Sequence, residues 1–214
     1  MRATEFLTEN MSRRGFLGAL GAGAMAAGGV QAAPNKQYKP QPQEPINVLS
    51  MNTNAEVLLQ RAARAAGIKG IELAQFLAQC SHESADFSRM KEIGGTQYFA
   101  QRYDPKYNMA KAKVLGNKQV GDGAKYAGRG FIQITGRDNY KRAGAALNLP
   151  LEQHPELAAK PDVAAKIAVW YWKTRVKPNI QNFADTAAVT KYINPALRGL
   201  QDRHSNFLDY KRII

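Results

Sequence analysis

From Gly70 onward, the apolar residues Leu73, Phe76, Leu77 and Cys80 recur at the three-and-four spacing of a single helix face. A segment patterned this way must bury one side along its whole length, so it predicts a helix at the centre of the fold. The surrounding chain also reads as mainly helical. Thr53-Asn54-Ala55-Glu56 has the form of a capping box, in which the hydroxyl accepts a free backbone N–H and the carboxylate reaches back to the cap. It predicts a helix over 57–66 that Gly67 stops. A further helix is expected over 141–147, with Thr135 and Asn139 as possible capping groups before it, and another around Trp170-Tyr171-Trp172, whose rings read as core. Glu83 continues the first series, three residues after Cys80 and seven after Phe76. Its carboxyl therefore falls on the edge of the apolar stripe, a setting that suits a general acid.

The amino-terminal part follows a different logic. Ser12-Arg13-Arg14-Gly15-Phe16-Leu17 sets two arginines ahead of an uncharged Gly/Ala-rich run over 15–35 that contains Val30-Gln31-Ala32-Ala33. A positive start, a weakly apolar middle and a small-residue end make 1–33 a signal peptide with twin-arginine wording, or a signal anchor that releases from the membrane. Pro34, Pro40, Pro42 and Pro45, with Gln and Lys between them, suit an extended linker over 34–50. The catalytic domain is expected over 51–214, with globular structure starting near Val48 or Asn52. Export to the periplasm or secretion follows, with inner-membrane tethering before release as the anchor variant. Lys and Arg outnumber Asp and Glu by 30 to 17, and the resulting +13 draws the chain to polyanions. A single cysteine excludes an internal disulfide and a cysteine-rich zinc site, and Cys80 reads as a buried thiol.

Glu92 lies nine residues after Glu83, and at about 100° per residue an unbroken helix would put the two on opposite sides. Ile93-Gly94-Gly95 ends helical order, and Asp86 or Ser88 can begin a turn earlier, so the chain is expected to reverse between the glutamates. Two carboxyls about 6.5–9.5 Å apart are what an inverting glycosidase uses, one as acid and one as base. Competing motifs fail on their spacing. His82-Glu83 does not extend to a zinc motif, because residue 86 is Asp, and a phosphate loop starting at Gly128 fails because residue 133 is Gln. No metal and no cofactor are expected, and His82 reads as a group that orients local structure.

His82-Glu83-Ser84 with Glu92, Tyr126-Ala127-Gly128-Arg129-Gly130-Phe131-Ile132-Gln133-Ile134-Thr135, Asp138-Asn139-Tyr140, His154-Pro155-Glu156-Leu157, and Ile193-Asn194 with Gly199-Leu200-Gln201-Asp202-Arg203 follow in an order that resembles glycoside hydrolase family 19, the domain of chitinases and phage endolysins. The resemblance runs from residue 53 to the end. It implies a lysozyme-like, mainly α domain with minimal β and a catalytic cleft. It also implies Glu83 as general acid and Glu92 as the base that activates water. Gln133, Thr135 and Asn139 would bind sugar or position that water, Asn194 would be a substrate-side amide, and Arg203 would support the carboxylates. The chemistry agrees, since amides and hydroxyls both donate to and accept from sugar hydroxyls, and an arginine beside a carboxylate suits a base. Asp104 competes with Glu92 as the second carboxylate. Pro195-Ala196 stands where the family has Gly-Gly, and Arg198 where an amide or acid is frequent. The expected activity is inverting hydrolysis of β-1,4 bonds in peptidoglycan. The alternatives are a chitinase, a lytic transglycosylase that needs one acid only, and a non-catalytic wall-binding or virion protein. The expected partner is an anionic cell-wall polysaccharide, peptidoglycan or chitin rather than nucleic acid, and a monomer is expected.

Overall fold

The computed structural model describes residues 48–214; the expected signal or anchor segment, and the expected linker as far as residue 47, lie outside the described residues. The helices are α1 Val48–Ala65, α2 Gly70–Glu83, α3 Thr96–Tyr103, α4 Met109–Leu115, α5 Asp122–Lys125, α6 Arg137–Leu147, α7 Pro161–Tyr171, α8 Thr186–Lys191 and α9 Leu200–Ile213. Among the described residues, β structure is limited to isolated bridges that pair Arg129 with Lys91 and with Ile134. The mainly helical architecture with minimal β is the one expected. No described helix is long and apolar enough to cross a membrane.

α2 is the axis of the core. Leu73, Phe76, Leu77 and Cys80 are all buried, as their spacing requires, and each large apolar side chain contributes about 1.5–3 kcal/mol on burial. Phe76 meets the edge of Trp172 at 5.2 Å between centroids. Trp172 opens a π-helical turn, Trp172–Val176, directly after α7, and its indole N–H donates to Glu72 Oε1 at 3.0 Å. Tyr171 and Trp172 are thus core residues. The broadest helix contact is α2 against α9. A separate small cluster of Phe99, Tyr103, Leu115 and Ala127 packs α3 and α4 together.

Two helix starts differ from expectation. α1 begins at Val48, so Thr53-Asn54-Ala55-Glu56 lies inside it and not at its cap. No Gly or Pro separates Val48 from that stretch, so nothing in the sequence stops the helix from extending back. The Glu56 carboxylate instead accepts from Tyr210 Oη of α9 at 3.0 Å and from Gln60 Nε2 at 3.1 Å. α6 begins at Arg137, four residues before the predicted start, because its first amide is satisfied from a distance: Arg137 N–H donates to Asn117 Oδ1 at 2.9 Å. Gly136, at φ 91°, makes the entry turn, where a Cβ would come within 2.6 Å of Leu115 O.

Candidate active site

α2 ends at Glu83, and the chain then reverses by an unusual route. Ala85, Asp86 and Phe87 follow one another at φ 49°, 53° and 63°, all left-handed and none of them glycine. Such residues cost about 1–2 kcal/mol each, so local bonds must hold them. Ser84 Oγ donates to Cys80 O at 2.6 Å and accepts Phe87 N–H at 3.1 Å. Ser81 Oγ donates to Asp86 Oδ1 at 2.6 Å, and Arg89 N–H donates to Ser84 O at 2.8 Å. The Phe87 ring packs edge-on to Phe131 at 5.9 Å. This is the reversal that the spacing of Glu83 and Glu92 demanded.

The Glu83 side chain is 7% exposed and accepts Arg203 Nη2 at 2.5 Å. Arg203, 1% exposed, also donates from Nη1 to Gln79 Oε1 at 2.7 Å and from Nε to Arg198 O at 3.1 Å. Gln79 Nε2 in turn donates to Thr190 Oγ1 at 3.0 Å and to Gln75 Oε1 at 3.3 Å, while Gln75 Nε2 donates to Thr186 Oγ1 at 3.0 Å. The carboxylate that Arg203 holds is therefore the one expected to be the acid, not the base. α9 packs on α2, which carries Glu83, whereas Glu92 sits on a later segment. The sequence reading missed Gln75 and Gln79, although the signal was present: Gln75, Gln79 and Glu83 recur every four residues on a helix otherwise buried among apolar groups. Burial first, and then the charge of Glu83, push the Cys80 thiol and the Tyr171 hydroxyl well up. His82 Nδ1 lies 2.6 Å from Asp202 Oδ2, and its ring sits so close to Gly199 that a Cβ there would collide with it. His82 thus ties α2 to the start of α9. Asn194 is buried just after α8, and Leu197 N–H closes a turn onto Asn194 O at 2.9 Å, with Pro195 in the position that favours it.

Glu92 is 7% exposed. Tyr103 Oη donates to its Oε1 at 2.9 Å and Gly128 N–H to its Oε2 at 3.0 Å. The backbone is stitched at the same place: Glu92 N–H donates to Gly128 O at 2.8 Å and Gly130 N–H to Met90 O at 2.9 Å. Gln133, held at φ 50°, donates from Nε2 to Gly130 O at 2.8 Å and to Arg89 O at 3.3 Å. Thr135 Oγ1 donates to Gln133 O at 2.9 Å and Asn139 Nδ2 to Thr135 O at 2.8 Å. Gln133, Thr135 and Asn139 thus form one bonded row that joins the Glu92 segment through Gly130 and Arg89. Neither Thr135 nor Asn139 makes a side-chain cap for α6, whose N-cap is Gly136. Tyr140 braces the nearby segment at Ala127 and Arg129. Its Oη donates to Ala127 O at 2.8 Å and accepts Arg129 Nη1 at 2.9 Å, and burial pushes it up to about 12.

Asp104 is fully buried, and backbone amides occupy both its oxygens: Gly123 N–H at 2.5 Å and Gly121 N–H at 3.0 Å. Its carboxylate holds the start of α5.

A mainly helical domain with two nearly buried carboxylates on either side of a chain reversal, each gripped by a separate set of donors, offers the pair of groups that a glycosidase uses as acid and base. Comparison with known proteins agrees. The family described as Chitinase class I, Glyco_hydro_19, matches residues 59–196. A glycosyl hydrolase family 19 domain-containing protein of Haemophilus influenzae is 34% identical over 161 residues, which is 65% of this chain and 78% of that protein. An endochitinase of Arabidopsis thaliana is 35% identical over 149 residues, covering 65% of this chain but 47% of the plant protein. Chitinase C from Streptomyces griseus superposes with a TM-score of 0.56 at 26% identity, over 75% of this chain and 68% of that one. The chain belongs to glycoside hydrolase family 19, and it spans about half the length of the plant relative.

Proposed function

We propose that this chain hydrolyses β-1,4 bonds of peptidoglycan by a single inverting displacement, with Glu83 as acid and Glu92 as base. The observation that carries the reading is the paired arrangement of Glu83 on Arg203 and Glu92 on Tyr103 and Gly128. In the reaction, the Glu83 carboxyl gives its proton to the glycosidic oxygen as the bond from that oxygen to the anomeric carbon breaks. Glu92 takes a proton from the water that attacks this carbon from the opposite face, which leaves an inverted hemiacetal. Arg203 then stands against the carboxylate that Glu83 has become. Afterwards Glu92 carries the extra proton, and exchange with solvent resets both groups. A carboxylate offers about four acceptor positions, enough to hold its anchors and still take a water. Gln133, Thr135 and Asn139 orient that water and the sugar, and Asn194 binds from the substrate side. Asp104 is structural in this scheme.

Peptidoglycan is favoured as substrate by the net charge of +13, which suits an anionic wall. The composition of 1–33 supports export of the chain to meet that wall. A second reading, chitin as substrate, is favoured by the chitinase names of its relatives. The experiment compares wild type, Glu83→Gln and Glu92→Gln on purified peptidoglycan and on chitin oligosaccharides, with product mass analysis. The expected result is clearance of peptidoglycan with hydrated reducing ends, and a loss of about 10²–10⁴-fold in each variant. Anhydro-sugar ends together with an active Glu92→Gln would assign a lytic transglycosylase instead. Turnover of chitin alone would move the substrate to the second reading, and inactivity of all three proteins would leave wall binding.

A further inference from the structure

The phenol that holds Glu92 is itself held. Tyr103 Oη, 2.9 Å from Glu92 Oε1, accepts Arg102 Nε–H at 3.1 Å. A guanidinium carries donors only, so the phenolic proton has no acceptor on the arginine, and its direction towards Glu92 is settled by the partner behind it. Arg102 is anchored in its turn. Its Nη1 donates to Tyr98 Oη at 3.2 Å, and its guanidinium carbon lies 5.8 Å from the Tyr98 ring centre and 5.6 Å from that of Tyr103. Tyr98 and Arg102 are one helical turn apart on α3, which brings them together on one face. Tyr103 cannot move away, because it is fully buried and its ring stacks on Phe99 at 6.4 Å with an interplanar angle of 11°. Tyr98 is seated by Gly94, where any Cβ would strike its ring.

We propose that Arg102 is a positioning residue for the hydrolysis: with Tyr98 and Tyr103 it forms a clamp on α3 that fixes the orientation of the Glu92 carboxylate towards the attacking water. The proposal rests on the reading of Glu92 as the general base. It assigns to α3 a role in turnover that is separate from substrate affinity. A loosened base still lets substrate bind but presents its oxygen wrongly, and misplacement of about 1 Å costs up to about a hundredfold in rate. A simple surface cation that attracts an anionic glycan would behave in the opposite way, changing KM and leaving kcat alone.

The test is a double-mutant cycle of Arg102→Met and Tyr103→Phe, assayed for kcat and KM on the substrate that wild type turns over, with thermal unfolding measured alongside. Arg102→Met is expected to lower kcat about tenfold or more with KM within about twofold. In the Tyr103→Phe background the same change is expected to cost clearly less than it does in wild type, because the two side chains act on one carboxylate. An equal loss in both backgrounds, or a loss confined to KM, overturns the proposal. If Tyr103→Phe does not fold, Arg102→Gln serves in its place: its amide N–H can still donate to the phenol, so kcat should recover relative to Arg102→Met, and equal loss overturns the clamp. Glu92→Gln is run in parallel. Full activity there removes the base assignment itself, whereas inactivity with an additive cycle removes only the clamp.

Discussion

Arg203→Met isolates the interaction that holds Glu83, the proposed acid. The substitution keeps an apolar stem of similar length but removes a guanidinium that is 1% exposed and donates to Glu83, Gln79 and Arg198. Glu83, 7% exposed, and the carbonyl of Gln79, 1% exposed, are then left without these donors in a site that water barely reaches. Breaking one side of a buried ion pair costs about 3–5 kcal/mol. A domain of this size loses about 2–4 °C of Tm per kcal/mol, so the midpoint should fall by roughly 6–20 °C in a circular-dichroism melt. If Glu83 is the acid, as proposed, the activity of the folded fraction should fall as well, since that carboxyl loses its anchor. The double variant Glu83→Gln/Arg203→Met tests the cause. With neither charge left, its destabilisation should be smaller than the sum of the single variants by about 1 kcal/mol or more. A melt of Arg203→Met within about 1 kcal/mol of wild type, or strictly additive single costs, would refute the view that this pair is buried and coupled.

Two further carboxylates, Asp104 and Asp122, are expected to act on stability. Asp104→Ala leaves the amides of Gly121 and Gly123 without an acceptor and should lose about 2–4 kcal/mol in urea unfolding while its folded fraction keeps kcat; loss of kcat at full stability would reverse the assignment. Asp122 accepts Arg137 Nη2 at 2.6 Å and Arg137 Nε at 2.9 Å. Burial pushes its carboxyl up, but Arg137 and the Lys118 and Gln119 amides outweigh that and hold it below the usual range. Its contribution is therefore complete above the unfolded carboxyl value of about 3.9 and is lost as pH falls through the lower folded value. The Tm gap between wild type and Asp122→Asn should be full at neutral pH and close in acid; a gap that widens in acid would contradict the sign. Gly136→Ala should destabilise more than Gly67→Ala. Both positions are left-handed, but a Cβ meets Leu115 O at 2.6 Å at the first and nothing within 4 Å at the second. Equal melts would remove that distinction.

What could be read from the sequence was whatever depends on neighbours along the chain. The spacing of Leu73, Phe76, Leu77 and Cys80 set α2, and the angle between Glu83 and Glu92 demanded a reversal. The means of reversal stayed hidden, because Ala85, Asp86 and Phe87 carry no signal for left-handed backbone and are held there by Ser81 and Ser84. Long-range partners were equally invisible. Arg203 reaches Glu83 across 120 residues and Asn117 caps α6 across 20, so neither the arginine's true partner nor the helix start follows from local pattern. Asp104 was a candidate because related sequences often carry an acid there, and its contacts with the Gly121 and Gly123 amides, 17 and 19 residues on, leave no local pattern.

The bonds that pin Met90 and Glu92 to the Gly128 and Gly130 backbone have a consequence for how such a domain can diversify. Eight residues separate Glu83 from Glu92, locked at one end by α2 and at the other by these bonds. Beyond the lock lies Gly95, where an added Cβ meets nothing within 4 Å. Chain inserted at that point lengthens the connection to α3 while the eight-residue spacing of the two glutamates stays as it is. The length of that connection and the spacing of Glu83 and Glu92 are then independent variables, and the one can change by insertion while the other stays still.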